Sequence, residues 1–257
     1  MNFTQDISTL PATVLGLIPD ASNDTYLIVL NPPTGVGLKA VYKPSRGEAF
    51  LHDFSELARR EVAAYRLSHL SGLHCVPPTV MRSDLPHGTG SVQLFVDLAG
   101  DPVVDAWLSE YVPEDIVPVF RGHNSDGAEV VVGHGLSERL ADIAMFDVVA
   151  NNADRKGSHL INGQLPGAKS GSIWAIDNGL SFHPEPKLRT VLWGFAGTPL
   201  APRHFHACER TLAFTADDLG TTQEETSALH ARTRALLSSG QFPYPPVNRT
   251  PIPWPPL

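Results

Sequence analysis

Two aspartates in this chain, Asp154 and Asp177, stand where apolar runs give way to turns, and a histidine, His159, lies between them. Asp154 follows an apolar run (Ile143, Ala144, Met145, Phe146, Val148, Val149) that breaks at Asn151-Asn152. Asp177 follows the strand-like Ser172-Ile173-Trp174-Ala175-Ile176 and opens Asp177-Asn178-Gly179, a hairpin-type turn signal. His159-Leu160-Ile161 reads as a partner strand, with Gly163 and Gly167 marking the loop between the two. Both carboxylates therefore flank one small hairpin, with the imidazole at the near end of its first strand. Such a set can hold a divalent cation and orient a hydroxyl for phosphoryl transfer. An aspartate before a strand also serves as a cap or turn residue, so spacing alone leaves both roles open.

The elements around this hairpin add a cation and a buried acid. Leu38 to Pro44 alternates as a strand and carries Lys43 at its end, just before the proline that stops pairing. A helix is expected from Phe54 to Leu70, apolar at Leu57, Val62, Tyr65, Leu67 and Leu70, with Glu61 inside that stripe. A glutamate among apolar neighbours is costly unless paired, and Lys43 is the evident partner. Such a pair sets a lysine on nucleotide phosphates in kinases generally. Arg59 and Arg60 read as outer-face charges. Upstream, strands Val14–Ile18 and Tyr26–Leu30 flank the polar cluster Pro19 to Thr25, which can lie over a polyphosphate or make a plain hairpin.

The strand Ser91–Val96 runs into the polar, Gly-containing stretch Asp97 to Asp101, a place for a linker and for a crease that takes a planar base. Residues 102–135 read as irregular, and Leu136 to Asn152 as the helix that delivers Asp154. Ser181 to Arg203, with Lys187 and Arg189, reads as a substrate-side loop followed by a short helix. His204-x-His206 reads as two surface histidines, and Thr222 to Ser239 as an amphipathic helix. Many of the prolines fall in Phe242 to Leu257, which is either an extended strap or disordered, and which can dock a partner.

A net charge of −8 argues against non-specific binding to nucleic acid or to an anionic membrane. No apolar run approaches the ~20 residues of a membrane span. The opening MNFTQDISTLPATV lacks a signal peptide's basic and apolar regions, and two cysteines make no disulfide framework. A cytoplasmic protein is expected.

With Lys43, Glu61, Asp154 and Asp177 in this order, the chain resembles the phosphatidylinositol 3-/4-kinase-like superfamily. The nearest likeness is to type II phosphatidylinositol 4-kinases and, further off, to HipA-like serine kinases. The resemblance is carried by Val41-Tyr42-Lys43-Pro44, Arg60 to Arg66, Asp147 to Arg155 and Ala175 to Phe182. More narrowly, nearly the whole chain looks like a family of actinobacterial kinase-related proteins of this length. The resemblance implies an α+β, bilobal, protein-kinase-like fold. A β-rich N-lobe would cover residues 1–98 and a mainly helical C-lobe residues 99–240, with a Pro-rich tail over 241–257.

ATP and Mg²⁺ or Mn²⁺ would occupy the cleft of such a fold. Lys43 would contact the phosphates and Glu61 would hold it, with Ser22 and Asn23 in the phosphate loop and Gln93, Phe95 and Val96 leading into the hinge. Asp154 would accept the proton of the acceptor hydroxyl, and Asp177 would bind the metal. Three positions depart from the family. His159 stands where an asparagine usually ligates a second metal, which points toward Mn²⁺. Lys156 follows Asp154-Arg155, either neutralising a transferring phosphate or serving as a loop charge, and the phosphate loop lacks the usual glycines. The implied function is transfer of the ATP γ-phosphate to a hydroxyl of a protein or small molecule ahead of a lipid. A nucleotide-binding pseudokinase and an AMP transferase are the alternatives.

Overall fold

A computed structural model of the chain describes residues 3–19 and 23–257. After helix α1 (Phe3–Thr9), the strands β1 (Ala12–Leu17), β2 (Tyr26–Leu30) and β3 (Leu38–Pro44) run antiparallel. Helix α2 (Leu57–Ser71) follows, then β4 (Thr79–Arg82) and β5 (Gly90–Leu94), completing a five-stranded sheet in the order β1-β2-β3-β5-β4. The period-two alternation of β3 decides which way Lys43 faces. Leu38, Ala40, Tyr42 and Pro44 are buried, while Lys39, Val41 and Lys43 turn to the other face. The buried face packs with Ile7 of α1, Ile28, Leu30, Val92 and Leu94 into one apolar core. Arg82 secures α1 there by donating to the carbonyls of Ile7 and Leu10 at its C-terminal end.

Beyond β5 the chain forms β6 (Asp97–Leu98), β7 (Val104–Leu108), β8 (Val117–His123) and β9 (Glu129–His134), then α3 (Glu138–Ala150). The strands β10 (Leu160–Gln164) and β11 (Ser172–Ala175) and the helices α4 (Pro202–Thr211), α5 (Ala216–Leu219) and α6 (Gln223–Ser239) complete the fold. Residues 102–135 are not irregular, because β7, β9 and β8 make a three-stranded antiparallel sheet. This half therefore carries more strand than the expected mainly helical lobe. β10 and β11 form the expected hairpin, pairing Leu160 with Ala175 and Gly163 with Ser172, and β6 joins its edge.

A second, larger core gathers α3, α4 and α6 with β9, β10 and β11. Ala63, Ala64 and Leu67 of α2 belong to it, so the helix that carries Glu61 is packed against the second half of the chain. Ser137 caps α3, its hydroxyl accepting from the Leu140 N–H at 3.2 Å. At the other end Asn151, with φ of +57°, stops the helix in the left-handed conformation. Its carboxamide donates to the carbonyls of His183 and Glu185 at 2.7 Å each and accepts from the Lys187 N–H at 2.9 Å. The chain past α3 is thereby fixed to the loop that follows Asp177.

His204 is buried rather than at the surface. Its Nε2 meets Asp142 Oδ1 at 3.0 Å and its Nδ1 accepts from the Ala201 N–H, while His206 is exposed. The Pro-rich tail is a strap over the second half. The Pro251 carbonyl accepts from the Thr190 N–H and the Trp193 indole, and the Pro256 carbonyl from the Gly157 N–H.

Candidate active site

Lys43 is clamped between two acids, one on α2 and one just past β11. Its Nζ lies 2.6 Å from Glu61 Oε1 and 2.8 Å from Asp177 Oδ1. Glu61 is 3% exposed, and its second oxygen accepts the Asn178 N–H at 3.0 Å. The glutamate thus ties the lysine to the Asp177-Asn178 turn as well as charging it. Burial by itself would lower the Lys43 pKa, but Asp177 and then Glu61 outweigh it, and the ammonium is held above its ordinary value. Lys43 is in turn the largest influence on Asp177, holding its carboxyl well below the usual carboxylate range. Asp177 has φ of +54°, a conformation that aspartate tolerates better than most residues and that is over-determined here by the bonds on either side.

Those bonds come from Arg155, which is fully buried. Its guanidinium forks onto Asp147 of α3, with Nε 3.1 Å and Nη2 3.0 Å from Oδ1. It also donates to the Ile176 carbonyl at 2.6 Å and to Asn178 Oδ1 at 2.5 Å. One side chain therefore joins the end of α3, the loop after Asp154 and the turn at Asp177. Sequence reading missed it. A signal was present in Asp147, a carboxylate inside the apolar run Phe146-Val148-Val149, which must be paired for the same reason as Glu61.

Arg60, expected as an outer-face charge, is buried at 6% exposure. It donates to the carbonyls of Ser181 and Ser55 and pairs with Glu225 of α6 at 2.7 Å, while Arg59 forks onto the same glutamate. The partner lies more than 160 positions downstream, beyond what helical periodicity can show.

Asp154 sits on a loop pinned by its own N–H donating to Asn152 Oδ1 at 2.9 Å. Lys156 Nζ approaches its carboxylate at 3.5 Å. Burial raises the Asp154 pKa and Asp177 adds to this, with Lys156 opposing, so its carboxylate is more basic than an ordinary aspartate. His159 Nε2 lies 3.3 Å from Asp177 Oδ2, and its Nδ1 is buried with no hydrogen-bond partner among the described residues. Burial pushes the imidazole down to about 4 although Asp177 pulls the other way, so it is neutral at pH 7.

A pH dependence of stability follows. Between the unfolded value of about 6.5 and the folded value of about 4, the unfolded chain binds a proton that the folded chain does not. Stability should therefore rise with pH across that window and be lost on acidification through it. Urea titrations at several pH values should show a flatter profile for His159→Asn than for the natural chain; parallel profiles would contradict the assignment.

Two adjoining cavities meet at Lys43. The larger, about 470 Å³, is lined by Gln93, Phe95 and Val96 together with Lys156, His159 and Asp177. The smaller, about 190 Å³, is lined by Glu61, Asp154, Glu48, Leu51 and Leu180. Asn23, Lys43 and Asp177 line both. Every expected site residue thus borders one cavity or the other, except Ser22, which lies outside the described residues. Two of them are otherwise engaged. Asn23 Oδ1 accepts from the Ala49 N–H at 2.6 Å, and Gln93 Nε2 donates to Thr79 Oγ1 at 2.9 Å.

No family model matches the sequence. A curated relative does: Protein Rv2133c of Mycobacterium tuberculosis (strain ATCC 25618 / H37Rv) is 39% identical over 268 residues, spanning 95% of this chain and 91% of the relative. The chain belongs to the Rv2133c family. Among solved structures, that of a Helicobacter pylori proinflammatory kinase, CtkA, overlays on 92% of this chain and 94% of its own at 10% identity. The TM-score is 0.43.

Proposed function

We propose that this member of the Rv2133c family is an ATP-dependent phosphotransferase with a bilobal, kinase-like division at the cleft. ATP would take the larger cavity and the hydroxyl of an acceptor the smaller one. The observation that carries the reading is the clamp Glu61–Lys43–Asp177 at the junction of the two cavities, with Asp154 bordering the smaller. Phosphoryl transfer asks a protein mainly for positioning and charge stabilisation, and each residue has a part in that. Lys43, held charged, would bind phosphate oxygens, and Phe95 and Val96 would border the base. Asp154, made more basic by burial, would take the proton of the acceptor hydroxyl. Lys156 would neutralise charge on the group in transfer.

The donor set fits a divalent cation only in part. Among the described residues no three His, Cys, Asp or Glu side chains are grouped to hold a metal. Asp177 and His159 offer two donors, which suits Mg²⁺ or Mn²⁺ completed by phosphate oxygens and water rather than a metal bound by protein alone. Such a cation would supply charge neutralisation at the phosphates. His159, neutral, is the donor that favours Mn²⁺.

The acceptor side favours a neutral or cationic hydroxyl compound, on a protein or a small molecule, over an anionic lipid head group. Lys43 is the only cation among the described residues lining the smaller cavity, and it is already shared by two acids. Lys187, in the loop expected to face substrate, is held by Asp53 at 2.9 Å and Glu185 at 3.3 Å. A nucleotide-binding regulator without turnover is the second reading, favoured by the buried, neutral imidazole at His159.

Thermal unfolding should separate binding from its absence. ATP with Mn²⁺ or Mg²⁺ is expected to raise the unfolding midpoint, by the stabilisation that a ligand of the folded state gives at ~100 times its Kd, about 2.7 kcal/mol. Neither the metal alone nor the Asp177→Ala chain with both should show it. A full shift in Asp177→Ala would remove Asp177 as the metal-bearing residue.

A further inference from the structure

The cleft has a wall that neither the hairpin nor the five-stranded sheet supplies. Leu257 lines the larger cavity beside Lys156, Ser158 and His159, although it lies about a hundred positions from them in the chain. It is carried there by a strap with several fixed points. Arg249 donates to the Pro186 carbonyl at 2.7 Å. The Pro251 carbonyl accepts from the Thr190 N–H at 3.0 Å and the Trp193 indole at 2.8 Å. Ile252 packs on the larger core, and Trp254 meets Phe120 edge-on at 6.2 Å. The Pro256 carbonyl then accepts the Gly157 N–H at 2.8 Å.

Gly157 is where strap and loop touch most closely. A Cβ there would come within 2.7 Å of Leu257 Cδ2 and 3.2 Å of Val104 Cβ, so the Leu257 side chain would have to shift to admit one. The loop itself is held on its other side by Arg155, whose N–H donates to the Arg189 carbonyl while its carbonyl accepts from Val191. The neighbour of both, Thr190, is the residue bonded to Pro251. Loop, residues 189–191 and strap form one backbone-bonded layer beneath the cavity.

We propose that the segment Pro251–Leu257 is a positioning element of the cleft. Its Pro256 carbonyl fixes the loop that carries Asp154 and Lys156, and its Leu257 side chain forms the apolar wall against which a nucleotide lies between the base end and the phosphate end. The second part rests on the nucleotide reading above; the first does not.

The test uses three full-fold chains: the natural one, Leu257→Ala, and one ending at Trp254, which keeps the anchors at Pro251 and Ile252. Amide hydrogen exchange over Arg155–His159, measured without nucleotide, should quicken about tenfold or more in the shortened chain, because Gly157 loses its acceptor, and stay as in the natural chain in Leu257→Ala. Unchanged exchange in the shortened chain overturns the positioning role, whether or not ATP binds. Titration with ATP and Mn²⁺ should show about fivefold weaker binding for Leu257→Ala, the loss of part of one apolar contact. With a substrate in hand the defect should fall on KM and spare kcat. Natural-strength binding in Leu257→Ala overturns the wall. If the natural chain binds no nucleotide at all, the proposed function and the wall both fall, and the exchange result alone decides the positioning role.

Discussion

Arg155→Ala is expected to cost this protein about 3–5 kcal/mol of folding stability, a large share of the ~5–15 kcal/mol that a domain usually has. The side chain is fully buried and satisfies Asp147, Asn178 and the Ile176 carbonyl together. Removing it leaves the Asp147 carboxylate at 0% exposure, with only Thr190 Oγ1, at 3.1 Å, to answer it among the described residues. Burial already raises the Asp147 pKa against the pull of Arg155, so removing the arginine would raise it further. Equilibrium urea unfolding measures the loss. The double change Asp147→Leu with Arg155→Met should lose less than Arg155→Ala alone, since it leaves no unpaired charge. A loss below ~1 kcal/mol for Arg155→Ala, the range of exposed pairs, would show that the network is not what joins α3 to the Asp177 turn.

Asp154→Asn should lower the rate of transfer about 10²–10⁴-fold while leaving nucleotide affinity nearly as it was. Asparagine keeps the shape of the side chain and cannot take the proton. Asp154 borders the smaller cavity and not the larger one, so its loss should fall on kcat. Steady-state kinetics with a calorimetric Kd for ATP checks this. A raised KM with kcat intact would mean that Asp154 helps to bind and does not carry the proton.

The parts of the site that were legible in the sequence are those in which one local pattern settles direction. Alternation along β3 puts Lys43 opposite Tyr42, and a lone glutamate in the apolar stripe of α2 requires a cation, so the pair follows from two short segments. The hairpin β10–β11 was legible in the same way, from two apolar runs and a turn signal. What was missed depends on partners far along the chain. Arg60 and Glu225, or Gly157 and Pro256, meet only because helices and strap pack in three dimensions, and neither segment carries a trace of the other. The sheet β7-β9-β8 was hidden for a different reason. Pro118 interrupts β8, and the register slips between Pro118 and Phe120, so the alternation is broken where it would be read. A proline-rich strap bonds mostly through its carbonyls and shows no hydrophobic period, so its sequence could not distinguish strap from disorder.

The most direct test of the central claim is a transfer assay with γ-labelled and, separately, α-labelled ATP. Both are run with Mn²⁺ and with Mg²⁺ over a panel of protein and small-molecule hydroxyl acceptors, with Asp154→Ala as control. The account predicts that label leaves ATP from the γ position only, that it appears on an acceptor hydroxyl, and that Asp154→Ala abolishes the transfer. Label moving from the α position would make the protein an AMP transferase. No movement of either label across the panel, from a chain that binds ATP with metal, would contradict phosphotransfer and leave a nucleotide-binding regulator.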